Sequence, residues 1–129
     1  MESYITRFRE IEIMAGDSNV ELQFQLFYED GTPIDLRSSK TMWYLAPIGQ
    51  KHNSILEKEG EILKDIDAKT GRIISAYRFR VILNSEDTIN LYGKYVHQPV
   101  LIDRHSEPDR TFRRAEGFIN FRPQIRKII

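Results

Sequence analysis

Between Val20 and Leu26 the chain alternates strictly, Val-Glu-Leu-Gln-Phe-Gln-Leu, the period-two pattern of a strand buried on one face. Ile5 to Ile13 alternates less cleanly and runs into Ala15-Gly16-Asp17-Ser18-Asn19, a cluster of turn formers. These two segments are expected as strands joined either as a hairpin or as a pair that crosses between sheets. Asp30-Gly31-Thr32-Pro33 marks a turn, because Asp-Gly supports positive φ and the proline fixes the exit. Thr41 to Ala46 is apolar at successive positions through Met42, Trp43, Tyr44 and Leu45, which predicts a central strand.

Residues 54–66 fit two patterns. Ile55, Ile62, Leu63 and Ile66 would share one helix face, but Gly60 disfavours that helix by about 1 kcal/mol relative to alanine. Two short strands fit better. Thr70-Gly71 predicts a turn and Arg72 to Leu83 a long strand. Ser85-Glu86-Asp87-Thr88 has the form of one helical turn, with Ser85 as N-cap and acids following it. Lys94 to Ile102 and Phe112 to Phe121 are two further strands around a polar connection, and Pro99 marks an edge or a bulge in the first. Seven to eight short strands separated by turn signals predict an all-β fold, an antiparallel β-sandwich forming a single domain over residues 1–129. In that fold Trp43 takes the place of the buried sandwich tryptophan.

Composition points the same way. Seventeen isoleucines against five alanines is a β-sheet composition, since branched side chains lose χ1 freedom in helices and pack well on pleated surfaces. Nineteen basic and nineteen acidic residues leave no net charge, which argues against a general nucleic-acid or polybasic membrane binder. No apolar run approaches the roughly 18 residues of a membrane span. The N-terminus lacks a basic-then-apolar leader, so accumulation in the cytoplasm is expected. Cysteine is absent, which removes disulfides, thiol chemistry and the usual structural zinc sites.

Candidate chemistry is sparse. Asp65-Ile66-Asp67-Ala68-Lys69-Thr70-Gly71 brushes against a calcium loop, but Thr70 stands where glycine is needed, Ala76 where glutamate is, and Lys69 where a ligand should be. A β-turn explains it better. His52, His97 and His105 show no metal-ligand spacing and read as two loop histidines and one strand histidine. Glu57, Glu59 and Glu61 would share a face if extended, and fit a solvated edge better than a catalytic pair. Nucleophile-elbow and P-loop signatures are absent. No catalytic, metal or cofactor-binding residue is expected, and the chain is read as a non-enzyme.

Charge is uneven along the chain, with seven Lys/Arg and four Asp/Glu in residues 103–129. Arg104, Arg110, Arg113 and Arg114 surround the last connection, and Arg122, Arg126 and Lys127 lie near the end. Phe112, Phe118 and Phe121 are interleaved with them. The neutral balance favours an exposed terminal edge suited to protein partners over a nucleic-acid surface. Asp87-Thr88-Ile89-Asn90-Leu91-Tyr92-Gly93-Lys94-Tyr95 fits a tyrosine corner, with Tyr95 bonding back upstream, Leu91 plugging the core and Gly93 relieving the backbone.

In order along the chain stand Gly16-Asp17, Asp30-Gly31-Thr32-Pro33-Ile34-Asp35-Leu36, a strand with Trp43 and Tyr44, and Asp87-Thr88-x-x-Leu91-x-Gly93-Lys94-Tyr95. A strand ending at Ile102-Asp103 and a last strand with Gly117-Phe118-Ile119 complete the set. This set resembles the small Ig-like domain of bacteriophage and prophage structural proteins of Gram-positive hosts, similar to the N-terminal domain of upper baseplate proteins. The resemblance covers nearly the whole chain. It implies an Ig-like sandwich without cofactor or catalytic set, part of a virion as a baseplate, tail, head-fibre or capsid-associated component. Its partners would be other virion proteins, met in multiple copies in a symmetric assembly.

On that expectation the docking residues are Arg113, Arg114, Arg122, Pro123, Ile125, Ile128 and Ile129, with 123–129 as a docking tail, because its isoleucines have no place in a strand. The alternative is a carbohydrate-binding sandwich that recognises a bacterial surface glycan through Tyr44, Tyr77 and Tyr92.

Overall fold

A computed structural model describes residues 6–7, 9–28, 30–37, 39–103, 110–112 and 115–123. Along the chain run β1 (Thr6–Arg7), β2 (Ile11–Met14), β3 (Val20–Gln25), β4 (Ser39–Pro47), β5 (Leu56–Glu59), β6 (Glu61–Ile66), β7 (Ile73–Leu83), α1 (Ser85–Thr88), β8 (Gly93–Asp103), β9 (Arg110–Phe112) and β10 (Ala115–Arg122). Two sheets result. The larger has the order β1-β10-β8-β4-β5, with β2 also on β10 and β9 on β8, and the smaller has the order β3-β7-β6. Pairing is antiparallel except where β1 and β2 join β10 in parallel. The chain is therefore mostly β with two antiparallel-rich sheets, consistent with an all-β sandwich.

The turn 15–19 carries the chain from one sheet to the other, so β2 and β3 are a crossing pair and not a hairpin. Asn19 takes a left-handed conformation there (φ 55), which asparagine tolerates better than most side chains. The expected strand from Ile5 to Ile13 is two short segments separated at Arg9-Glu10. The expected strand from Phe112 to Phe121 is likewise divided, into β9 and β10. Pro99 lies where one flank of β8 changes partner, in keeping with the expected edge or bulge. β10 pairs with β8 as far as His97, and β9 takes over at Leu101. Between those two pairings the register shifts by one residue, from Gly117↔His97 to Phe112↔Leu101, while the pairing of Pro99 with Trp43 on β4 continues unbroken. A bulge is a place where a strand tolerates proline, which has no N–H to give the ladder.

The alternation of β3 places Leu22 and Phe24 inward, and β7 supplies Phe79, Val81 and Leu83. The large sheet answers with Ile13, Trp43, Leu45, Leu101, Ile119 and Phe121, all part of one buried cluster. Trp43 is fully buried. The inward faces meet through rings: Phe24 lies 5.3 Å from Phe79 within the small sheet and 5.8 Å from His97 on β8, centroid to centroid.

Gly60 is where the chain leaves the large sheet for the small one for the second time. Its N–H donates to the Thr41 carbonyl at 2.9 Å. A Cβ on this residue would lie 2.4 Å from Phe79 Cδ2 and 2.5 Å from Thr41 Oγ1, closer than real contacts allow. The crossing needs glycine for space. Gly60→Ala should destabilise the fold by about 1–3 kcal/mol through overpacking, read as a lower urea midpoint with an unchanged slope. A midpoint equal to wild type would show that the crossing has slack.

Candidate functional site

The 84–95 segment is held by contacts that the sequence motif only partly announces. Asn84, not Ser85, is the N-cap of α1, because the extended backbone ends one residue earlier than expected. Its N–H donates to Asp87 Oδ2 at 2.8 Å, the reciprocal half of a capping box. The same carboxylate oxygen pairs with Lys58 Nζ of β5 at 2.7 Å. Thr88 is fully buried, and its Oγ1 accepts the Gly16 N–H at 2.8 Å, tying the first sheet crossing to the helical turn. Leu91 packs against the core cluster, and Gly93 has φ +88, a conformation that side chains resist. The Tyr95 and Phe121 rings form a T-shaped pair, with centroids 5.5 Å apart. This segment is a clasp between elements.

The terminal residues are placed differently from the expectation. β10 is not an exposed edge: β8 covers one side, and β2 covers the other with Ile119 opposite Ile11 and Arg122 opposite Met14. The N-terminal strands fill the position that alternating Arg and Phe suggested was open. Arg122 is exposed and pairs with Glu12 at 3.4 Å, and Pro123 is exposed beside it. Arg113, Arg114, Ile125, Ile128 and Ile129 lie outside the described residues, as do Arg104, His105, Arg126 and Lys127.

The other candidates separate. Asp67 turns its carboxylate onto its own loop, accepting Lys69 N–H at 3.0 Å and Thr70 Oγ1 at 3.0 Å, while Asp65 accepts Ser75 Oγ at 2.7 Å. This is a hairpin turn held by an aspartate. Glu57 and Glu59 stay with the large sheet while Glu61 crosses to the small one, so the three acids do not share a face. Glu61 there joins Arg80 (2.8 Å), which also holds Glu21 (3.0 Å), one guanidinium linking all three strands of the small sheet. Those bonds raise the Arg80 pKa, and the bond from Arg80 lowers that of Glu21.

Tyr44 lies on the large sheet, Tyr77 on the small one and Tyr92 in the connection before β8. They do not form one platform. Tyr44 instead lines an open polar cleft of about 430 Å³ with Lys51, His52, Ser54, Glu57 and Gln98. Near it, Lys51 Nζ pairs at 2.7 Å with Glu116, a nearly buried carboxylate on β10 that Gln98 Nε2 also reaches at 3.4 Å. Ser54 Oγ donates to Glu57 at 2.7 Å.

The strand histidine lies in the core. His97 is fully buried, and its Nδ1 accepts the indole N–H of Trp43 at 3.0 Å. Burial pushes its pKa down to about 4. Pairing of Trp43 with His97 needs β4 and β8 side by side, which no local pattern states. The Thr88–Gly16 bond spans 72 positions and was equally hidden. The one available signal was Thr88 directly after the acids of a capped helical turn.

No family model, curated protein or solved structure matches the chain.

Replacing Thr88 by valine keeps volume but strips the acceptor from a buried N–H. A loss of about 1–3 kcal/mol is expected, together with faster hydrogen exchange at Gly16. Unchanged exchange at Gly16 would show that the clasp is dispensable.

Proposed function

We propose that this chain is a non-enzymatic bacteriophage or prophage virion protein, an Ig-like sandwich that docks to other virion subunits. What supports this reading is the role of the residues that carry the family resemblance. Gly16 and Thr88, from two of the motif runs, are bonded to each other at 2.8 Å. Asp30 holds its own turn by accepting the N–H and the hydroxyl of Thr32 at 2.9 and 2.6 Å, which lowers its pKa. Gly93 and Asp87 shape the entry to β8. The shared residues serve a scaffold, as expected of a module whose work is to hold position among neighbours.

On this reading docking is multivalent. Weak single contacts become stable when a symmetric assembly presents many at once. With β10 covered on both sides, the interface moves from a sheet edge to the exit of the chain at Arg122 and Pro123 and the residues that follow, Ile125, Ile128 and Ile129 among them.

Deleting residues 123–129 should leave the thermal midpoint and near-ultraviolet circular dichroism unchanged and abolish co-sedimentation with particles. Truncated protein that still co-sediments would remove the tail from the interface. Gold-labelled antibody on particles of the source strain tests the wider reading. Label at the tail tip or over the head supports it, and unlabelled particles with accessible epitopes after disruption overturn it.

A second reading, a module that binds a bacterial surface glycan, is favoured by the Tyr44 cleft. An aromatic ring beside amide, carboxylate, ammonium and hydroxyl groups suits a hydroxyl-rich ligand. Titration with host cell-wall polysaccharide should then shift tyrosine fluorescence in the wild type and not in Tyr44→Ala. A flat titration in the wild type removes this reading.

A further inference from the structure

His97 occupies the centre of the inter-sheet contact. On one side the Trp43 indole lies 6.0 Å from it, centroid to centroid, and donates its N–H to Nδ1 at 3.0 Å. On the other, Phe24 of the small sheet packs at 5.8 Å. An indole nitrogen can only donate, so Nδ1 must carry a lone pair and the ring proton must sit on Nε2. A doubly protonated imidazolium presents N–H groups at both nitrogens. It would set one donor against another at 3.0 Å, inside the core.

We propose that His97 is an acid-operated release in the core: a proton on Nδ1 abolishes the acceptor that holds Trp43 and loosens the packing of the large sheet on Phe24.

Among the described residues, those packed on the ring carry no charge. β4 brings Trp43 and Leu45 to the ring, β10 brings Gly117 opposite it, and β3 brings Phe24, none of which titrates. Lys58, in register with Trp43 on β5, is already paired with Asp87 at 2.7 Å. Glu116 is paired with Lys51 at 2.7 Å beside the Tyr44 cleft. On the small sheet, Glu21 and Arg80 pair with each other at 3.0 Å. Burial depresses the folded-state pKa from 6.5 to about 4, so the closed form stays neutral where an opened form takes the proton.

Linkage then sets the direction. The stabilisation is fully present above about pH 6.5, falls as the pH drops towards 4, and stops falling once both forms are protonated. Over the whole titration the equilibrium for opening rises by about 300-fold, half of that factor being reached at pH 4. The release belongs to the sandwich itself and holds whether or not the chain sits in a virion.

The test uses Trp43, the single tryptophan, as reporter. Urea unfolding of the full chain is followed by fluorescence from pH 7.5 to 4 for wild type, His97→Asn and His97→Phe. Asparagine keeps an acceptor oxygen close to the position of Nδ1, phenylalanine keeps a ring against Phe24, and neither takes a proton. The wild-type opening equilibrium should rise about 150-fold more than that of either variant between pH 7.5 and 4. Curves that run parallel overturn the proposal, because the acid response then belongs to other groups.

Should neither variant fold, histidine nitrogen resonances of the wild type decide. The proposal expects a single Nε2–H tautomer for His97, protonation only near pH 4, and a Trp43 indole N–H signal that moves with it. Titration of His97 near pH 6.5, or an indole signal indifferent to its protonation, overturns it.

Discussion

Trp43, His97, Phe24 and Phe79 form a chain of ring contacts that runs from the large sheet into the small one, with centroid separations of 6.0, 5.8 and 5.3 Å. Everything else in the sandwich accommodates this stack. Gly60 can pass from one sheet to the other only because it has no Cβ to press on Phe79. Leu22, Leu45, Ile119 and Phe121 fill the space around the stack as one buried cluster. A close-packed interior transmits such constraints, since a displacement of one ring leaves its neighbours without contact. The polar member of the stack is tolerated because Trp43 satisfies its Nδ1, and the same burial disfavours a charge there.

The outer surfaces follow a different principle. Acids and bases are matched in pairs and short ladders: Arg80 between Glu21 and Glu61, Lys94 with Glu10, Arg37 with Asp35, Arg122 with Glu12. Exposed pairs of this kind add little to stability and are screened by salt. They do keep a neutral chain covered with charge. Lys58–Asp87 and Lys51–Glu116 differ, because each has a partner that is largely buried and each joins elements distant in sequence. The first anchors the helical turn to β5 and the second anchors the β4–β5 loop to β10.

Coverage of β10 changes how docking can work in such a module. A free edge would invite strand addition, with backbone hydrogen bonds supplying affinity. Here β2 occupies that edge in parallel, over four register pairs from Ile119↔Ile11 to Arg122↔Met14. On the proposed docking reading, recognition through β10 uses side chains and the residues beyond Arg122. Backbone pairing at an edge supplies affinity, whereas side-chain contacts supply selectivity.

The sequence by itself determined the strand content, the turns at Asp30-Gly31 and Thr70-Gly71, the burial of Trp43 and the division of 54–66 into two strands. Each of these rests on period, composition or a glycine within a few residues, which are local properties of the chain. Local pattern also foresaw two sheets, because turn-separated alternating segments must bury their apolar faces against one another. Only the tertiary structure decided which strands are neighbours. β10 reads as an edge until β2, more than a hundred positions away, is laid beside it. Glu57, Glu59 and Glu61 read as one face until the crossing at Gly60 sends them to different sheets. His97 reads as an ordinary strand histidine until β4 brings the Trp43 indole within 3.0 Å. The physical reason is common to all three. Alternation says which face of a strand is buried, but the identity of a buried group's partner depends on the pairing of strands distant in sequence, and so does its chemistry.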